Sequence, residues 1–323
     1  MCTAIRYGTQ YFGRTLDYEH AYDATVLLLP RRAPRQFRRA RAREAHAALL
    51  GIGTLADDTP LFFDAINEHG LCMAGLNFPG CAVYTPSALL PPDTDAVAPF
   101  ELIPWVLSQC GSVAQARALL THTTLWSEPF SAALPLSPLH WMIADAKNSL
   151  VVEPTAYGLQ LYDNPADVLT NSPELPYHLT HLSEYLSLSP APPDNRFGVA
   201  GLAPYSRGMG AMGLPGDFSS SSRFVRAAFA RANTCFDKEG GVSAFFHVMD
   251  TVAQPRGCVR LEGGALPRTL YTSCYDRATK RCCYTTYGHR GICAVTLRER
   301  DAEGKTLRCF PMAQSEQITL QNG

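Results

Sequence analysis

Apolar positions along this chain gather first into short runs of β-branched and aromatic residues. Residues 3–7 and 11–18 are two such runs, and Gly8-Thr9-Gln10 between them predicts a hairpin. Residues 25–30 predict a further strand. Residues 61–66 and 71–77 predict a strand pair across the turn-forming cluster Asn67-Glu68-His69-Gly70. The spacing then changes. Residues 100–109 and 113–121 read as helices, with Val113, Ala116, Leu119 and Leu120 on one face of the second. Ser112 can cap that helix, and Gln115 completes a capping-box pattern. Residues 140–144 and 150–154 predict another hairpin, and 177–186 are weakly helical. Residues 223–232 predict a strong helix with Phe224, Val225, Ala228, Phe229 and Ala232 in line, and 242–252 predict one more. Residues 269–275, 282–287 and 292–297 close the chain as strands. Pro, Gly, Asp and Ser collect at 85–98 and 187–218, which read as loops, the second a long excursion of the kind that tends to be functional. Strands in locally connected groups, alternating with groups of helices, predict antiparallel sheets layered with helices rather than βαβ units. No internal repeat or linker divides the chain, so one domain is expected over 1–323.

Composition narrows the function. A chain of 323 residues, 46% apolar and 18% charged, is not intrinsically disordered. Folding at this length buries roughly 75% of the unfolded surface, so no disulfide staples are required. Twenty-eight basic against 29 acidic residues give a net charge of −1, which argues against a nucleic-acid binder. Apolar runs fall well short of the ~18 residues that span a bilayer, so no membrane association is expected. The first residues show no export signal. The eleven cysteines are odd in number and contain no C-x-x-C, which suits free thiols in a reducing cytoplasm.

Several features invite a sharper reading. Seven arginines at 31, 32, 35, 38, 39, 41 and 43 form either a solvated face or a patch that steers anions. Gly208-x-Gly210-x-x-Gly213 spells a dinucleotide fingerprint, but it follows no predicted strand and reads as a flexible loop. His178 and His181 could share a helix face; without a third ligand nearby they read as a surface or interface pair, and no metal is expected. Trp105, Trp126 and Trp141 read as core or pocket wall. Cys2 is different. Removal of Met1 would place a thiol and a free α-amine on one residue, nucleophile and base together. An α-amine titrates near pH 7.7–8.0, roughly the working range. Position 2 alone carries little weight.

The surrounding residues add to it. Met-Cys-Thr-Ala-Ile (1–5) and Tyr-Phe-Gly-Arg-Thr-Leu-Asp-Tyr-Glu (11–19) resemble the opening of the choloylglycine hydrolase family, which comprises bile salt hydrolases and penicillin V acylases. Further similar stretches run in order. They are Phe-Asp-Ala-Ile-Asn-Glu-His-Gly-Leu (63–71), Met-Ala-Gly-Leu-Asn-Phe-Pro-Gly (73–80), Pro-Phe-Glu-Leu-Ile-Pro-Trp (99–105) and Leu-His-Trp-Met-Ile-Ala-Asp (139–145). Tyr-Asp-Asn-Pro (162–165), Leu-Thr-Asn-Ser-Pro (169–173), Gly-Leu-Pro-Gly-Asp (213–217) and Ser-Arg-Phe-Val-Arg-Ala (222–227) complete the set. The resemblance covers nearly the whole chain.

It implies the α+β fold of the N-terminal-nucleophile hydrolases, an αββα four-layer sandwich with two stacked antiparallel sheets between helical layers. It also implies roles. Cys2 matches the nucleophile, Arg14 the arginine beside the thiol, and Asp17 the aspartate that orients the α-amine. Asn77 matches the residue whose backbone N–H helps form the oxyanion hole. Asn171 matches the side-chain oxyanion donor, and Arg223 the arginine that completes the network by holding carboxylates in register. Read without the resemblance, these are turn asparagines and surface ion pairs. Bile salt hydrolases cleave glycine or taurine from conjugated bile acids, and the chain resembles them more than penicillin V acylases, which commonly carry Tyr at the Asn77 position. The expected substrate is therefore a conjugated bile salt, without metal or cofactor, with Leu16 and Phe130 as pocket wall or ordinary core. Penicillin V or another linear amide remains the alternative substrate, and a binding protein without turnover the alternative class. The resemblance further suggests a homotetramer.

Overall fold

The computed structural model describes residues 1–41, 46–90, 95–235 and 241–322. In chain order the first strands are β1 (Cys2–Tyr7), β2 (Tyr11–Tyr18), β3 (Thr25–Leu29), β4 (Leu49–Ala56), β5 (Thr59–Asn67), β6 (Cys72–Asn77), β7 (Ala96–Val97) and β8 (Thr124–Leu125). The rest are β9 (Leu139–Ala144), β10 (Ser149–Thr155), β11 (Gly158–Asp163), β12 (Val168–Leu169), β13 (Arg268–Asp276), β14 (Arg281–Thr286), β15 (His289–Thr296) and β16 (Arg308–Pro311). The helices are α1 (Leu102–Leu107), α2 (Val113–Leu120), α3 (Leu175–Leu182), α4 (Ser220–Asn233), α5 (Gly241–Asp250) and α6 (Glu299–Ala302).

A six-stranded sheet runs β12-β1-β2-β13-β14-β15, and an eight-stranded sheet runs β11-β10-β9-β6-β5-β4-β3-β16. Both are antiparallel throughout; β7 and β8 form a separate parallel pair. The sheets meet where β1 and β2 cross β6. α4 and α5 cover the outer face of the six-stranded sheet, and α1 and α2 that of the eight-stranded sheet. This is the expected αββα sandwich. A strand buried on both faces shows no polar alternation, and β3 is the clear case. Val26 and Leu28 enter the core between the sheets, while Leu27 and Leu29 enter the one beneath α1 and α2.

Three local expectations change. β4, β11 and β16 lie where no strand was predicted; Gly51 and Gly53 break the pattern of β4, and β11 is only half-buried. The helix expected at 100–109 is a 3-10 turn, Pro99–Glu101, followed by α1. On α2, Ser112 Oγ caps Gln115 N at 3.3 Å, but the Gln115 side chain accepts from Gly111 N at 2.6 Å, so half of the expected box forms. α4 buries Phe224, Val225 and Ala227, leaves Ala228 and Phe229 half-buried, and exposes Ala232. The helix is rotated from its apolar stripe because Arg223 and Arg226 are also buried beneath it.

Candidate active site

Met1 extends the first hairpin: Asp17 N donates to Met1 O at 2.9 Å, and the Met1 amine to Asp17 O at 2.6 Å. Cys2 follows, buried, paired with Leu16 and on the side of the sheet that faces β6. Arg14, on the same side, reaches across the layer. Its Nη2 donates to Cys2 Sγ at 2.5 Å, its Nη1 to Gly75 O at 2.5 Å and its Nε to Thr15 O at 3.1 Å. Burial opposes the charge on Arg14, but Cys2, Tyr271 and Asp64 outweigh it and hold the guanidinium above its usual range. Neither Gly13 nor Gly75 has room for a side chain on its far face. A Cβ on Gly13 would lie 2.0 Å from Ser273 O, and one on Gly75 would lie 3.0 Å from Trp141 Nε1.

The geometry of β6 supplies backbone donors. Phe78 N bonds Pro138 O at 2.8 Å, so 78 and 138 form a hydrogen-bonded pair. The neighbouring pair Asn77↔Leu139 therefore turns its peptide groups away from β9. β5 pairs with β6 only through Ala74, so Gly75 and Asn77 present theirs at an open edge. Gly75 O there meets Arg14. Asn77 O accepts from Asn171 Nδ2 at 2.7 Å, and the Asn77 N–H points to the same side. Asn171 Nδ2 has a second N–H to offer an oxygen. Its Oδ1 accepts from Cys2 N at 2.8 Å and from Arg223 Nη2 at 2.7 Å.

Two roles differ in detail from those the resemblance implied. Among the described residues Arg223 holds no carboxylate: it donates to Cys2 O at 2.5 Å, Thr3 Oγ1 at 2.7 Å, Phe218 O at 3.0 Å and Asn171. It rises from α4 onto β1, so carbonyls and hydroxyls are what it meets; burial lowers its pKa, with Asp17 and Cys2 opposing. The Asp17 carboxylate, in this chain with Met1 in place, is bonded by Thr269 Oγ1 at 2.6 Å and Thr15 Oγ1 at 3.2 Å rather than by the nitrogen of residue 2.

An apolar cavity of about 690 Å³ opens beside this set, within the range of small-molecule sites. Leu16, Tyr22, Ala24, Leu270, Tyr271 and Met312 line its apolar part, and Asp23, Arg268 and Gln314 also border it. Cys2, Leu16 and Tyr271 are neighbours in one row across the sheet, so Leu16 stands between Cys2 and the cavity. Phe130 is not part of it. Its ring packs edge-on against Phe100 at 5.3 Å, beneath the guanidinium of Arg38.

The other candidates go elsewhere. Arg31 pairs with Glu68 and Glu299, Arg38 with Glu128, and Arg39 lies over Trp126; Arg43 falls outside the described residues. His178 is buried with Nε2 2.9 Å from Asn171 O, whereas His181 faces Glu184. Gly208–Gly213 surround a single 3-10 turn. Trp105, Trp126 and Trp141 are buried. Burial pushes the thiols of Cys72 up to about 12 and Cys283 to about 11, and those of Cys274 and Cys282 well above the ordinary value.

Sequence reasoning missed the supports. Asp64, buried on β5, accepts from Tyr271 Oη at 2.6 Å and from Ser273 Oγ, while Ser273 Oγ also accepts from Arg14 N at 3.3 Å. Ser220 Oγ bonds Asn171 N at 2.9 Å. Asp64 and Thr15 lay within motifs quoted above, which was the available signal; Thr269, Tyr271 and Ser273 lay in none.

An αββα sandwich with a buried, arginine-bound thiol at the head of its first strand is the arrangement of a cysteine N-terminal-nucleophile amidohydrolase. Comparison with known proteins narrows this. Residues 2–310 match the linear amide C–N hydrolases of the choloylglycine hydrolase family, and the chain belongs to that family. It is 42% identical to a bile salt hydrolase/transferase of Lactiplantibacillus plantarum, over 100% of both chains. The crystal structure of a C2A mutant conjugated bile acid hydrolase from Clostridium perfringens superposes with a TM-score of 0.91 at 31% identity, covering 100% of each chain. A penicillin V acylase from Agrobacterium tumefaciens shares the fold, with a TM-score of 0.76 at 17% identity over 97% of this chain and 92% of that one.

Proposed function

We propose that the chain, after loss of Met1, is a bile salt hydrolase that cleaves glycine- and taurine-conjugated bile acids at the amide bond. The observation that carries this is the Arg14-bound Cys2 sulfur beside both the Asn77–Asn171 edge and an apolar cavity. The relatives named above support the steroid acyl group.

The geometry supports the following steps. Cys2 sulfur attacks the amide carbon, and its proton passes to the α-amine of Cys2. The carbonyl oxygen becomes an oxyanion and accepts from Asn77 N–H and Asn171 Nδ2. The C–N bond breaks as the ammonium returns a proton to the leaving amine, which departs as glycine or taurine. The thioester remains. Water adds to it, giving a proton to the α-amine; the C–S bond breaks, the bile acid leaves, and the thiol is restored. Arg14, Asp17 and Arg223 hold sulfur, amine and Asn171 in place, and Leu16 forms part of the acyl wall.

Release of free glycine and taurine from conjugated bile salts, run beside penicillin V, tests the reading. Faster hydrolysis of penicillin V than of every conjugate overturns the steroid assignment and leaves the catalytic set standing.

We read residues 1–323 as one domain acting in the cytoplasm, which free thiols suit; no helix among the described residues is long and apolar enough to cross a membrane. Assembly as a homotetramer, seen by sedimentation, would cover apolar side chains such as Leu186, Phe197 and Tyr205, which stand exposed.

A further inference from the structure

The structure assigns Thr269 a positioning role in this reaction, acting through Asp17; the assignment rests on the proposed roles of Cys2 and Asp17. β13 pairs with β2 residue by residue from Asp276↔Tyr11 to Tyr271↔Leu16, then skips one, so that Thr269 rather than Leu270 lies opposite Asp17. A bulge of this kind re-aims a side chain. Regular alternation would set Leu270 beside Asp17. With the bulge, Leu270 lines the apolar cavity and the Thr269 hydroxyl reaches Asp17 Oδ1 at 2.6 Å.

The direction of that hydrogen bond is fixed from behind. Gln254 N donates to Thr269 Oγ1 at 2.8 Å, and Thr269 N donates to Gln254 O at 3.0 Å. The hydroxyl oxygen is thus already an acceptor, and its proton is directed at Asp17. Thr15 Oγ1 occupies the other carboxylate oxygen. Arg14 and Arg223 act on Asp17 through space, but their N–H groups are aimed at Cys2, Gly75, Thr15, Thr3, Phe218 and Asn171. Two hydroxyls therefore set the orientation of this buried carboxylate. Without Thr269 the Asp17 carboxylate turns away from the position in which it would orient the free amine of residue 2 once Met1 is lost.

Steady-state turnover of a glycine-conjugated bile salt by Thr269→Val, Thr269→Ala and Thr269→Ser, each lacking Met1, tests this. Val and Ala should lower kcat about tenfold to a hundredfold, the span expected for losing one hydrogen bond to a charged group, with KM unchanged. Ser should retain most of the rate. If Thr269→Val fails to fold, the Ala and Ser variants, which add no atoms, decide the question. Equal rates in all three, or a loss in Ser as deep as in Ala, overturn the assignment. Alkylation of Cys2 in the unmutated enzyme separates the two readings: full activity after alkylation overturns the underlying site, whereas inactivation with indifferent Thr269 variants overturns only the role of Thr269.

Discussion

Replacing Asn171 by Ala removes one side chain that serves three groups. Its Oδ1 accepts from Cys2 N at 2.8 Å and Arg223 Nη2 at 2.7 Å, and its Nδ2 donates to Asn77 O at 2.7 Å. Two effects of different kind follow. Loss of a preorganised oxyanion donor costs about 100- to 1000-fold in kcat. The structural loss is separate and is read in stability rather than in rate. Arg223 keeps Cys2 O, Thr3 Oγ1 and Phe218 O, so the deficit falls on Cys2 N and Asn77 O. A buried polar group left unpaired costs about 1–3 kcal/mol, less where water fills the gap. Unfolding by heat should then move down by only a few degrees. Asn171→Asp keeps the acceptor for Arg223 and Cys2 but offers Asn77 O no donor, so it separates the two functions. The expected result is a kcat at least about 100-fold lower in both variants, with KM within about threefold of the original. Glycine release at saturating substrate, paired with thermal unfolding, measures both. Normal kcat with a lowered midpoint would make Asn171 a brace and refute the oxyanion argument.

Two further outcomes follow from charged side chains. Replacing Arg35, Arg38 and Arg39 by Gln should leave the salt dependence of kcat/KM unchanged, because Arg38 and Arg39 are engaged with Glu128 and Trp126 and Arg35 donates to Pro104 O at 3.1 Å; a flattened dependence would restore the steering patch. Hydrogen bonds from Ser219 and Ser222 hold the Asp217 carboxyl down at about 2, against an ordinary value of 3.8. A depressed carboxyl contributes stability that is present above its unfolded value and lost as pH falls through the folded one. Asp217→Asn should therefore lose less stability than the parent between about pH 4 and pH 2, measured by denaturant unfolding; identical slopes would contradict that assignment.

Much of the fold was readable because antiparallel neighbours are near in sequence. The hairpin β1–β2, the pair β9–β10 and the strands β13–β15 each carry their own turn. What was not readable is long-range. Glycines thin the signal of β4, and β16 pairs with β3 across the whole chain. The proposed catalytic set was legible only by resemblance, since nothing local in Asn171 or Arg223 marks them as neighbours of Cys2. Their details depend on a tertiary arrangement that periodicity does not encode: Arg223 meets carbonyls instead of carboxylates, and Phe130 packs against Phe100 instead of the cavity. The bulge at Leu270 is the sharpest example. A period-two reading of residues 269–275 places the wrong side chain opposite Asp17.

The central claim is that the sulfur of Cys2, on a chain that has lost Met1, carries the acyl group during turnover. Acid quenching of the enzyme while it hydrolyses a conjugated bile salt, followed by mass mapping of its peptides, tests this most directly. The expected result is an amino-terminal peptide that begins at Cys2 and bears the bile acyl mass through a bond that hydroxylamine cleaves. An acyl group on any of the other ten cysteines, or full turnover by a chain that retains Met1, would contradict it.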